Sequence, residues 1–476
     1  MWYSPRDLDT QSPSARGRGR SPSLAALLSF LWPGLGHLYL RKRRIAALFA
    51  LPAILLTLLL AYQLRQGVVV FAARFADPSF SRAALALVLL AGVLRLVAVG
   101  HSFLGGDWHT TRRVVERAIV VALAATIIVS HSAAGYLLLV TSDAFAPAFD
   151  PNAQSNLIDQ STPGPSLAPG QTATPFVAVP TATAPPEGHR VTILFTGVDS
   201  DPQRTEHLYD SIMVVSYDPK TNSVQMVSVP RDSAAFPLYY GGQVKVTVRI
   251  NSLPTYVKNG WVISPDDPYT TLVKEVGYLV GIPINYHAVM DLDGFVQMID
   301  RVGGIDVNNP DVIDDPSYDW LNGGPIGFYL AAGPQHLDGK HALAYVRSRH
   351  GDNNSDWARA GRQQEVLVDL LHKIAQPSQI VALPGLIRIL GQSVNTDFPA
   401  DKVADFVAIG QDIPKGNFKQ VVLGPPYTVT NINYINSAAT TCLLNDKVAA
   451  LSIQLFGTDS TWYGKPAPAD TCYTQP

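Results

Sequence analysis

Four arginines crowd one short stretch of the chain, at Arg347, Arg349, Arg359 and Arg362. The guanidinium group is permanently charged and presents a planar fork of donors, which fits phosphate and carboxylate oxygens. Only 16% of the residues are charged, so a cluster of this kind in a mostly apolar chain predicts an anionic partner. If Leu343–Arg349 is a strand, its period of two puts Arg347 and Arg349 on the same face.

The second pair of arginines begins an apolar stripe. If a helix starts near Asp356, residues three or four positions apart share one of its faces. That face then carries Arg359, Arg362, Gln363, Val366, Leu367, Leu370 and Ile374. A solvated run of charge would occupy the opposite face. The pattern therefore predicts an anion pocket at the helix N-terminus, where backbone N–H groups also favour phosphate.

Two aspartates and a further arginine could complete such a pocket. Apolar runs of strand length cover 191–198, 211–217 and 224–229, and turn residues separate the last two. If the second and third strands form a hairpin and the first is antiparallel to the second, three strand ends meet at one edge of a sheet. The residues next to those ends are Asp199, Asp210, Arg231 and Asp232.

The residue types at this edge suit a divalent cation. Carboxylates from separate loops can hold a hard cation such as Mg²⁺, which bridges to phosphate oxygens. The alternative is that Asp199 and Asp210 are ordinary loop residues or helix caps. Their spacing alone leaves both interpretations open.

Further elements connect this edge to the arginines. Residues 286–293 are predicted to form a strand, 294–304 a helix that stops at two glycines, and 333–344 a turn and short helix leading to the arginine strand. His336 and His341 could be bases or metal ligands. Histidines at this spacing on a turn are more often surface or capping residues, so we place them outside the site.

The N-terminal third has the composition of a membrane region. The stretches 83–104 and 118–140 are long enough to cross a bilayer, and 45–64 has about the minimum length. The stretch 24–40 is short and contains a Pro-Gly-Leu-Gly break, which predicts a re-entrant or interfacial helix. A signal peptide is the alternative, but no small-residue cleavage site precedes the basic cluster at 41–44.

Charge predicts how this region is oriented. Residues 1–141 hold 15 of the 36 Lys and Arg residues but 5 of the 38 Asp and Glu residues. The chain between the basic clusters at 41–44 and 112–117 is predicted to cross the membrane twice, so the positive-inside rule places both clusters in the cytoplasm. A third span then makes the protein a multi-pass protein of the cell membrane with its C-terminal domain extracytoplasmic. That location excludes nucleotides and nucleic acid as ligands.

Composition divides the chain into five parts. A basic cytoplasmic tail at 1–23 precedes the membrane region at 24–141. Residues 142–189 are rich in Pro, Thr and Ser, which is typical of an extended linker. An α/β domain covers 190–456, and a C-terminal tail covers 457–476.

Both cysteines, Cys442 and Cys472, fall in the exterior part of the chain. Outside the cytoplasm a pair is more often bridged than free, so a disulfide is expected to hold the C-terminal tail. A metal site needs more ligands than two cysteines, and none are spaced nearby.

Several short motifs follow one another along the exterior domain. They are Gly197-Val198-Asp199, Asp210-Ser211, Val229-Pro230-Arg231-Asp232, Val302-Gly303-Gly304-Ile305-Asp306, 333–339, 342–349, and Arg359 with Arg362-Gln363-Gln364. Their order resembles that of the LytR-CpsA-Psr family. The resemblance covers about 190–376 and extends to about 456.

The resemblance implies a fold and an activity. The fold is α/β, an extracytoplasmic domain with a central mixed β-sheet flanked by helices, preceded by an α-helical transmembrane region. The activity is that of a membrane-anchored phosphotransferase, which moves a glycopolymer from an undecaprenyl (polyprenyl) pyrophosphate carrier onto peptidoglycan with Mg²⁺ (or Mn²⁺). The implied partners are the lipid-linked glycan, the acceptor glycan of the cell wall and membrane lipid.

The resemblance also implies roles for single residues. Asp199 and Asp210 match the metal-binding aspartates. Arg231 and Asp232 are assigned to catalysis, with Asp232 or Asp199 as the base that takes the acceptor proton. An apolar cleft between sheet and helices would hide the polyprenyl tail from water. The residues that match pyrophosphate-binding positions are Arg231, Arg347, Arg349, Arg359 and Arg362, with Gln363 beside them.

The chain departs from the family pattern in three places. An arginine is lost from the family's Arg-Ser-Asp-Thr segment at 208–211, and Arg204 could replace it. The Lys-Ile-Asn segment is matched as Arg249-Ile250-Asn251, and several membrane spans replace the usual single anchor. Two other functions stay open: a polyprenyl-pyrophosphate phosphohydrolase with water as acceptor, and a non-catalytic envelope regulator or glycan-binding module.

Overall fold

The computed structural model describes most of the chain. The described residues are 20–106, 113–149, 185–186, 188–198, 208–320, 326–351, 354–376, 378–379, 382–431, 440–468 and 472. They form two compact units, which we call the membrane unit and the sheet unit. The membrane unit comprises the described residues up to Gln66 and Ser79–Val140, and the sheet unit comprises Gly67–Pro78 and those from Thr141 onwards.

The membrane unit is helical. Its helices are α1 (Pro22–Leu31), α2 (Leu35–Tyr39), α3 (Arg43–Leu64), α5 (Pro78–Leu104) and α6 (Arg113–Phe145). Within the described residues, α3, α5 and α6 are long and apolar enough to cross a membrane, and they contain the three predicted stretches 45–64, 83–104 and 118–140. The stretch 24–40 forms two short helices, each too short to cross a bilayer.

The last membrane helix runs further than its sequence indicated. Composition placed the start of a linker at residue 142, but α6 continues to Phe145, and a 3₁₀ turn covers Ala146–Phe149. The helix ends where Pro147 could not continue it, because proline lacks the N–H that an α-helix requires. Most of the predicted linker, 150–184, lies outside the described residues.

The sheet unit is built on a mixed six-stranded sheet, and short two-stranded sheets lie beside it. The strands are β1 (Val191–Val198), β2 (Tyr209–Asp218), β3 (Ser223–Ser228), β4 (Tyr286–Asp291), β5 (Ile305–Asn309), β6 (Ile313–Asp315), β7 (Phe328–Leu330), β8 (Gly333–Leu337), β9 (Val394–Thr396), β10 (Phe418–Val422), β11 (Thr428–Asn431) and β12 (Thr440–Leu443). The order in the large sheet is β10-β3-β2-β1-β4-β9, and the two-stranded sheets pair β5 with β8, β6 with β7, and β11 with β12. Strand β1 is antiparallel to β2 and parallel to β4, and β2 and β3 form the predicted hairpin.

Helices cover both faces of the sheet because its strands alternate apolar side chains to either side. Leu194 of β1 packs into a core with residues 268–280 and 445–456, whereas Phe195 faces the core formed with the helices between 292 and 393. The fold is therefore the expected α/β arrangement of a mixed sheet between helices. The helices of this unit are α4 (Val68–Ala73), α7 (Leu253–Lys258), α8 (Pro268–Val280), α9 (Leu292–Arg301), α10 (Gly339–Arg347), α11 (Asp356–Ile374), α12 (Leu383–Ser393), α13 (Val403–Asp412) and α14 (Asn445–Phe456).

One predicted element is wrong: Leu343–Arg349 is not a strand. Helix α10 begins after Asp338, whose carboxylate accepts a hydrogen bond from the His341 N–H at 2.9 Å, and it continues to Arg347. Its residues from Ala342 to Val346 are all buried and pack into the core beside α11. Arg347 therefore ends a helix and Arg349 follows outside any helix or strand, so the two arginines do not share a strand face.

The C-terminal end is fixed to the sheet unit. Cys442 and Cys472 form the expected disulfide. Residues assigned to a tail from 457 also pack on the domain, since Trp462 contacts Tyr278 edge to face and Thr461 N–H donates to the Gly281 carbonyl at 2.8 Å.

Candidate functional site

The predicted sheet edge brings together residues from two strand ends. Asp210 lies at the start of β2 and Arg231 directly follows β3, and their side chains form an ion pair. The hairpin register explains this proximity, because Met213 pairs with Ser228 and the Val229 N–H donates to the Ile212 carbonyl at 2.9 Å. The predicted proximity of Asp210 and Arg231 at this edge of the sheet is thus confirmed.

Asp232 is the second carboxylate of this edge. It lies 3.7 Å from the Nε of Arg231 and 3.3 Å from the Nε of Arg249. The backbone at Asp232 is also held in place, since its carbonyl accepts a hydrogen bond from the Thr441 N–H at 3.0 Å. Arg249 stands where the family pattern has a lysine, and it keeps a positive charge against this carboxylate.

Helix α11 supplies the next group of charges, and it begins at the predicted place. The Ser355 hydroxyl caps it by accepting from the Ala358 N–H at 3.2 Å. Arg359 and Arg362 are each only 7% exposed, which fits the prediction that these arginines begin a core-facing stripe. Arg359 pairs with Asp356 at 3.1 Å.

The segment between α10 and α11 is organised by one buried carboxylate, Asp315 of β6. Its Oδ2 accepts from the Ser348 hydroxyl at 2.8 Å, the Arg349 N–H at 3.2 Å and the His350 N–H at 3.3 Å. Burial raises the pKa of this carboxyl, but the hydrogen bonds outweigh it and hold the pKa below its usual value. A charged Asp315 thus sets the backbone of Arg349.

Arg362 braces the same segment from the helix side. Its guanidinium donates to the Ser348 carbonyl and, at 2.9 Å, to the Asn354 side-chain oxygen, and it lies 5.3 Å from the centre of the Tyr345 ring. Arg362 is not among the residues that line the neighbouring cavities. The structure therefore places it behind the site, where it shapes the loop that carries Arg349.

A polar cavity of about 310 Å³ lies between the sheet edge and the N-terminus of α11. Its lining combines both predicted halves of the site. The candidate residues around it are Asp210, Arg231, Asp232, Arg349, Arg359 and Gln363.

A second, apolar cavity of about 80 Å³ adjoins the polar one. Asp210, Ser211 and Gln363 line both cavities. The remaining walls are the sheet face at Phe195 and Met213 and the apolar side of α10 and α11. Arg347 lines this cavity rather than the polar one, and its side chain hydrogen-bonds to the Tyr318 hydroxyl.

A third cavity, of about 290 Å³, continues along the same sheet face. It begins at Ile193 and Ala288, one alternate position beyond Phe195 and Met290 of the second cavity, and it runs under Ile374 at the end of α11. Alternate strand residues share a face. The three cavities thus lie in a row beneath α11, polar at its N-terminus and apolar towards its C-terminus.

Three buried arginine donors lie at or just behind the polar cavity. The Nε atoms of Arg231, Arg359 and Arg362 are buried without a hydrogen-bond partner among the described residues. Burial, and then the nearby charge of Arg231, lowers the pKa of Arg359, and burial lowers the pKa of Arg362 to about 10. Unpaired buried donors are unfavourable, and Arg231 and Arg359 line this cavity, so an anion there would accept hydrogen bonds from these two arginines and reduce the repulsion between them.

Some of the predicted residues cannot be placed. Asp199 and Arg204 lie outside the described residues. His336 and His341 lie away from the cavities and pair with Asp306 and Asp338, which agrees with the surface and capping roles expected for them. Asp315 was missed, because it comes from a distant strand and nothing in its local sequence distinguishes it.

The donor set suits a divalent cation only in part. Within the described ranges, no group of three or more His, Cys, Asp or Glu side chains is close enough to hold a metal. Mg²⁺ is commonly bound through one or two carboxylates and the oxygens of a substrate phosphate. Asp210, which lines the polar cavity, fits the role of such a carboxylate.

Comparison with known proteins gives two family matches and several relatives. A model of the LytR_cpsA_psr family matches residues 172–454, and a model of a family of unknown function, DUF6677, matches residues 24–155. The polyisoprenyl-teichoic acid–peptidoglycan teichoic acid transferase TagU of Bacillus mycoides is 30% identical over 218 residues, which are 45% of this chain and 62% of that protein.

A second relative bears the same description. TagV of Bacillus subtilis is 32% identical over 206 residues, which are 43% of this chain and 49% of TagV. The crystal structure of B. subtilis TagV is 24% identical, with a TM-score of 0.44 over 56% of this chain and 96% of that one. The match therefore spans about half to two thirds of the length of these two curated relatives.

Proposed function

The chain belongs to the LytR-CpsA-Psr family, and on that premise we propose that it transfers a glycopolymer from a polyprenyl pyrophosphate carrier to peptidoglycan. One observation carries the proposal: a cavity lined by arginines meets an apolar cavity at Asp210, Ser211 and Gln363. A lipid pyrophosphate has the same two-part chemistry. The names of the TagU and TagV relatives support the choice of donor and acceptor.

The transfer exchanges one phosphorus–oxygen bond for another. A hydroxyl of the acceptor glycan attacks the phosphorus that carries the glycopolymer, and the bond to the lipid phosphate breaks. The lipid phosphate leaves with the electron pair, while the hydroxyl proton passes to a base. Because negative charge spreads over the phosphate oxygens in such a reaction, catalysis depends mainly on positioning and charge stabilisation.

The residues of the polar cavity divide this work. Arg349 and Arg359 face the same space from two elements and would bind the phosphate oxygens. Arg231, held by Asp210 and Asp232, adds charge from the sheet edge. Asp232 is the carboxylate proposed to take the acceptor proton.

A divalent cation is proposed as a further component. Asp210 would hold Mg²⁺ together with substrate oxygens, and Asp199 is the proposed second carboxylate. When bound, the cation would add charge stabilisation at the phosphates.

The apolar cavities are proposed to hold the polyprenyl tail. The tail would enter the cavity at Phe195 and Met213 and continue under α11 to the larger cavity at Ile193 and Ile374. Burying such a chain is favourable by about 25 cal/mol for each Å² removed from water. The row of cavities would thereby align the pyrophosphate with the arginines.

We propose a multi-pass topology with the sheet unit on the exterior side. The distribution of Lys and Arg supports it, and so does the assignment of Gly67–Pro78, the segment between α3 and α5, to the sheet unit. A segment that packs on the exterior domain must lie on the same side of the membrane.

A reconstituted transfer reaction tests the proposal. The full chain in lipid vesicles would receive a polyprenyl pyrophosphate carrier with a radiolabelled glycan, together with peptidoglycan. We expect label to become covalently attached to peptidoglycan while polyprenyl phosphate is released in equal amount. Release without attachment would identify a phosphohydrolase, and the absence of release would identify a binding module.

A matched pair of variants ties the activity to the cavity. Arg349→Ala removes a residue that lines the polar cavity, whereas Arg388→Ala removes an exposed arginine of α12. Transfer is expected to fall at least tenfold in the first variant and to stay within twofold of wild type in the second. Equal rates in the two variants would contradict the assignment.

A further inference from the structure

The segment that joins the first two long membrane helices packs on the sheet unit. We call Gly67–Pro78 the strap; it contains α4 and a 3₁₀ turn at Arg74–Ala76. Val70 of the strap is 1% exposed, and it clusters with Ala73 and Ala404. Farther along, Ala76 clusters with Ile387 of α12. The strap is therefore seated on α12 and α13.

Helix α13 contacts both the larger apolar cavity and the strap. Val403, Phe406, Val407 and Gly410 recur at helical spacing and line the larger apolar cavity. Ala404 and Ala408, together with Val403 and Val407, pack against the strap. The small alanines let α4 approach closely. One helix thus separates the cavity from the strap.

Helix α13 depends on what it packs against. It has only ten residues, and no side chain caps its N-terminus. Isolated helices of this length are marginal in water, and their stability comes from packing of an apolar face. Ala404, which the strap covers, is the one buried residue of α13, with 5% of its surface exposed. Removing the strap would expose this face and loosen a wall of the cavity.

The end of the third membrane helix meets the same place. Ala148 and Phe149, which follow α6, line the larger apolar cavity. The backbone carbonyl of Ala144 lies so close to Gly391 of α12 that a Cβ atom there would come within 1.9 Å of it. The strap, which joins α3 to α5, and the segment that ends α6 therefore both pack on α12 or α13, two helices that line this cavity.

We propose that the strap holds α13 in place as the wall of the lipid cavity, so that the membrane region forms part of the lipid-binding apparatus and not only an anchor. This inference rests on the proposed function, because it takes the occupant of the cavity to be a polyprenyl chain. It assigns a role to a segment of the region that matches the family of unknown function. The polyprenyl tail would enter the cavity next to the contact between the strap and helices α12 and α13.

Two valines of α4 provide a matched test. Val70 is 1% exposed against α13, and Val68, two positions earlier in the same helix, is 42% exposed. Val70→Asp and Val68→Asp introduce the same charge at a buried and an exposed site. Both variants would be assayed as the full chain in vesicles, with a glycan carried on an undecaprenyl chain or on a ten-carbon analogue.

The expected pattern depends on carrier length. Val70→Asp should lower kcat/KM for the undecaprenyl carrier at least tenfold and for the short carrier less than twofold, because the arginine cavity is untouched. Val68→Asp should stay within twofold of wild type for both carriers. A Val70→Asp variant that matches Val68→Asp on the long carrier, or that loses both carriers equally, overturns the proposal.

A cross-link tests the contact itself and does not require transfer activity. In a Val70→Cys/Ala404→Cys variant, oxidation should hold together the two fragments produced by proteolysis between these positions. If the two cysteines do not cross-link in membranes, the proposed contact between the strap and α13 is wrong. If wild type transfers glycan from neither carrier while the cross-link forms, the proposed function fails and the contact stands.

Discussion

The carboxylate of Asp315 offers the sharpest single perturbation of the site. Its side chain is 1% exposed, and one of its oxygens accepts three hydrogen bonds, from the Ser348 hydroxyl and from the N–H groups of Arg349 and His350. The other oxygen accepts from the Ser317 N–H at 3.1 Å. In Asp315→Asn, the charge disappears and one acceptor becomes a donor.

The size of the effect follows from these bonds. A hydrogen bond to a charged group contributes about 1.5–3 kcal/mol and a neutral one about 0.5–1.5 kcal/mol. Three weakened bonds and one opposed donor, offset in part by easier burial of the neutral amide, give a loss of about 2–4 kcal/mol in the free energy of unfolding. Because Arg349 loses its anchored backbone, kcat/KM for transfer should also fall at least tenfold.

Asp314 is the matched control, since it is the adjacent residue and is exposed. Denaturant unfolding and transfer would be measured for Asp315→Asn and Asp314→Asn, and the control should stay close to wild type.

The dependence of stability on acid pH provides a second measurement. The pKa of Asp315 is lower in the folded state, so its contribution is present above about pH 4 and is lost as pH falls through the lowered pKa. The stability difference between wild type and Asp315→Asn should therefore shrink in acid, and equal behaviour of the two variants at every pH would refute the reasoning.

The remaining predictions concern the arginines, the tail cavity and the disulfide. Arg359→Ala should lower kcat/KM by about 10- to 100-fold, which corresponds to about 1.5–3 kcal/mol, and Arg359→Lys should not restore it because lysine lacks the planar fork; full rescue by lysine would contradict bidentate binding. Leu367→Trp, which fills the smaller apolar cavity, should raise KM for both an undecaprenyl carrier and a ten-carbon analogue, because the first part of either tail would occupy the cavity next to the pyrophosphate; an unchanged KM for both carriers in kinetic assays would count against a tail site. Cys442→Ser should reduce the free energy of unfolding by about 2–4 kcal/mol in denaturant titrations, because Cys442 and Cys472 are separated by 30 residues, and an unchanged midpoint would show that the bridge contributes no stability.

Local patterns predicted much of the fold. The arginine stripe of α11 follows from a period of 3.6 that the chain keeps from Arg359 onwards, and a helix needs only such local information. The hairpin of β2 and β3 was predicted from turn chemistry, which then placed Asp210 beside Arg231. These features depend on neighbours in sequence.

Other features depend on distant parts of the chain. The segment before Arg349 has apolar residues that fit either a strand or a helix, and the cap at Asp338 favours the helix. Asp315 is 33 residues from Ser348 in sequence, so no local pattern could connect them. The separation of Arg362 from the cavity likewise results from its bonds to Asn354 and to the backbone.

The most direct test of the central claim is a structure of the full chain with a polyprenyl pyrophosphate bound. The account predicts phosphate oxygens within hydrogen-bond distance of the Arg349 and Arg359 guanidiniums. The tail should pass Phe195 and continue under α11. A pyrophosphate bound elsewhere on the domain, or a tail that leaves the apolar cavities empty, would contradict it.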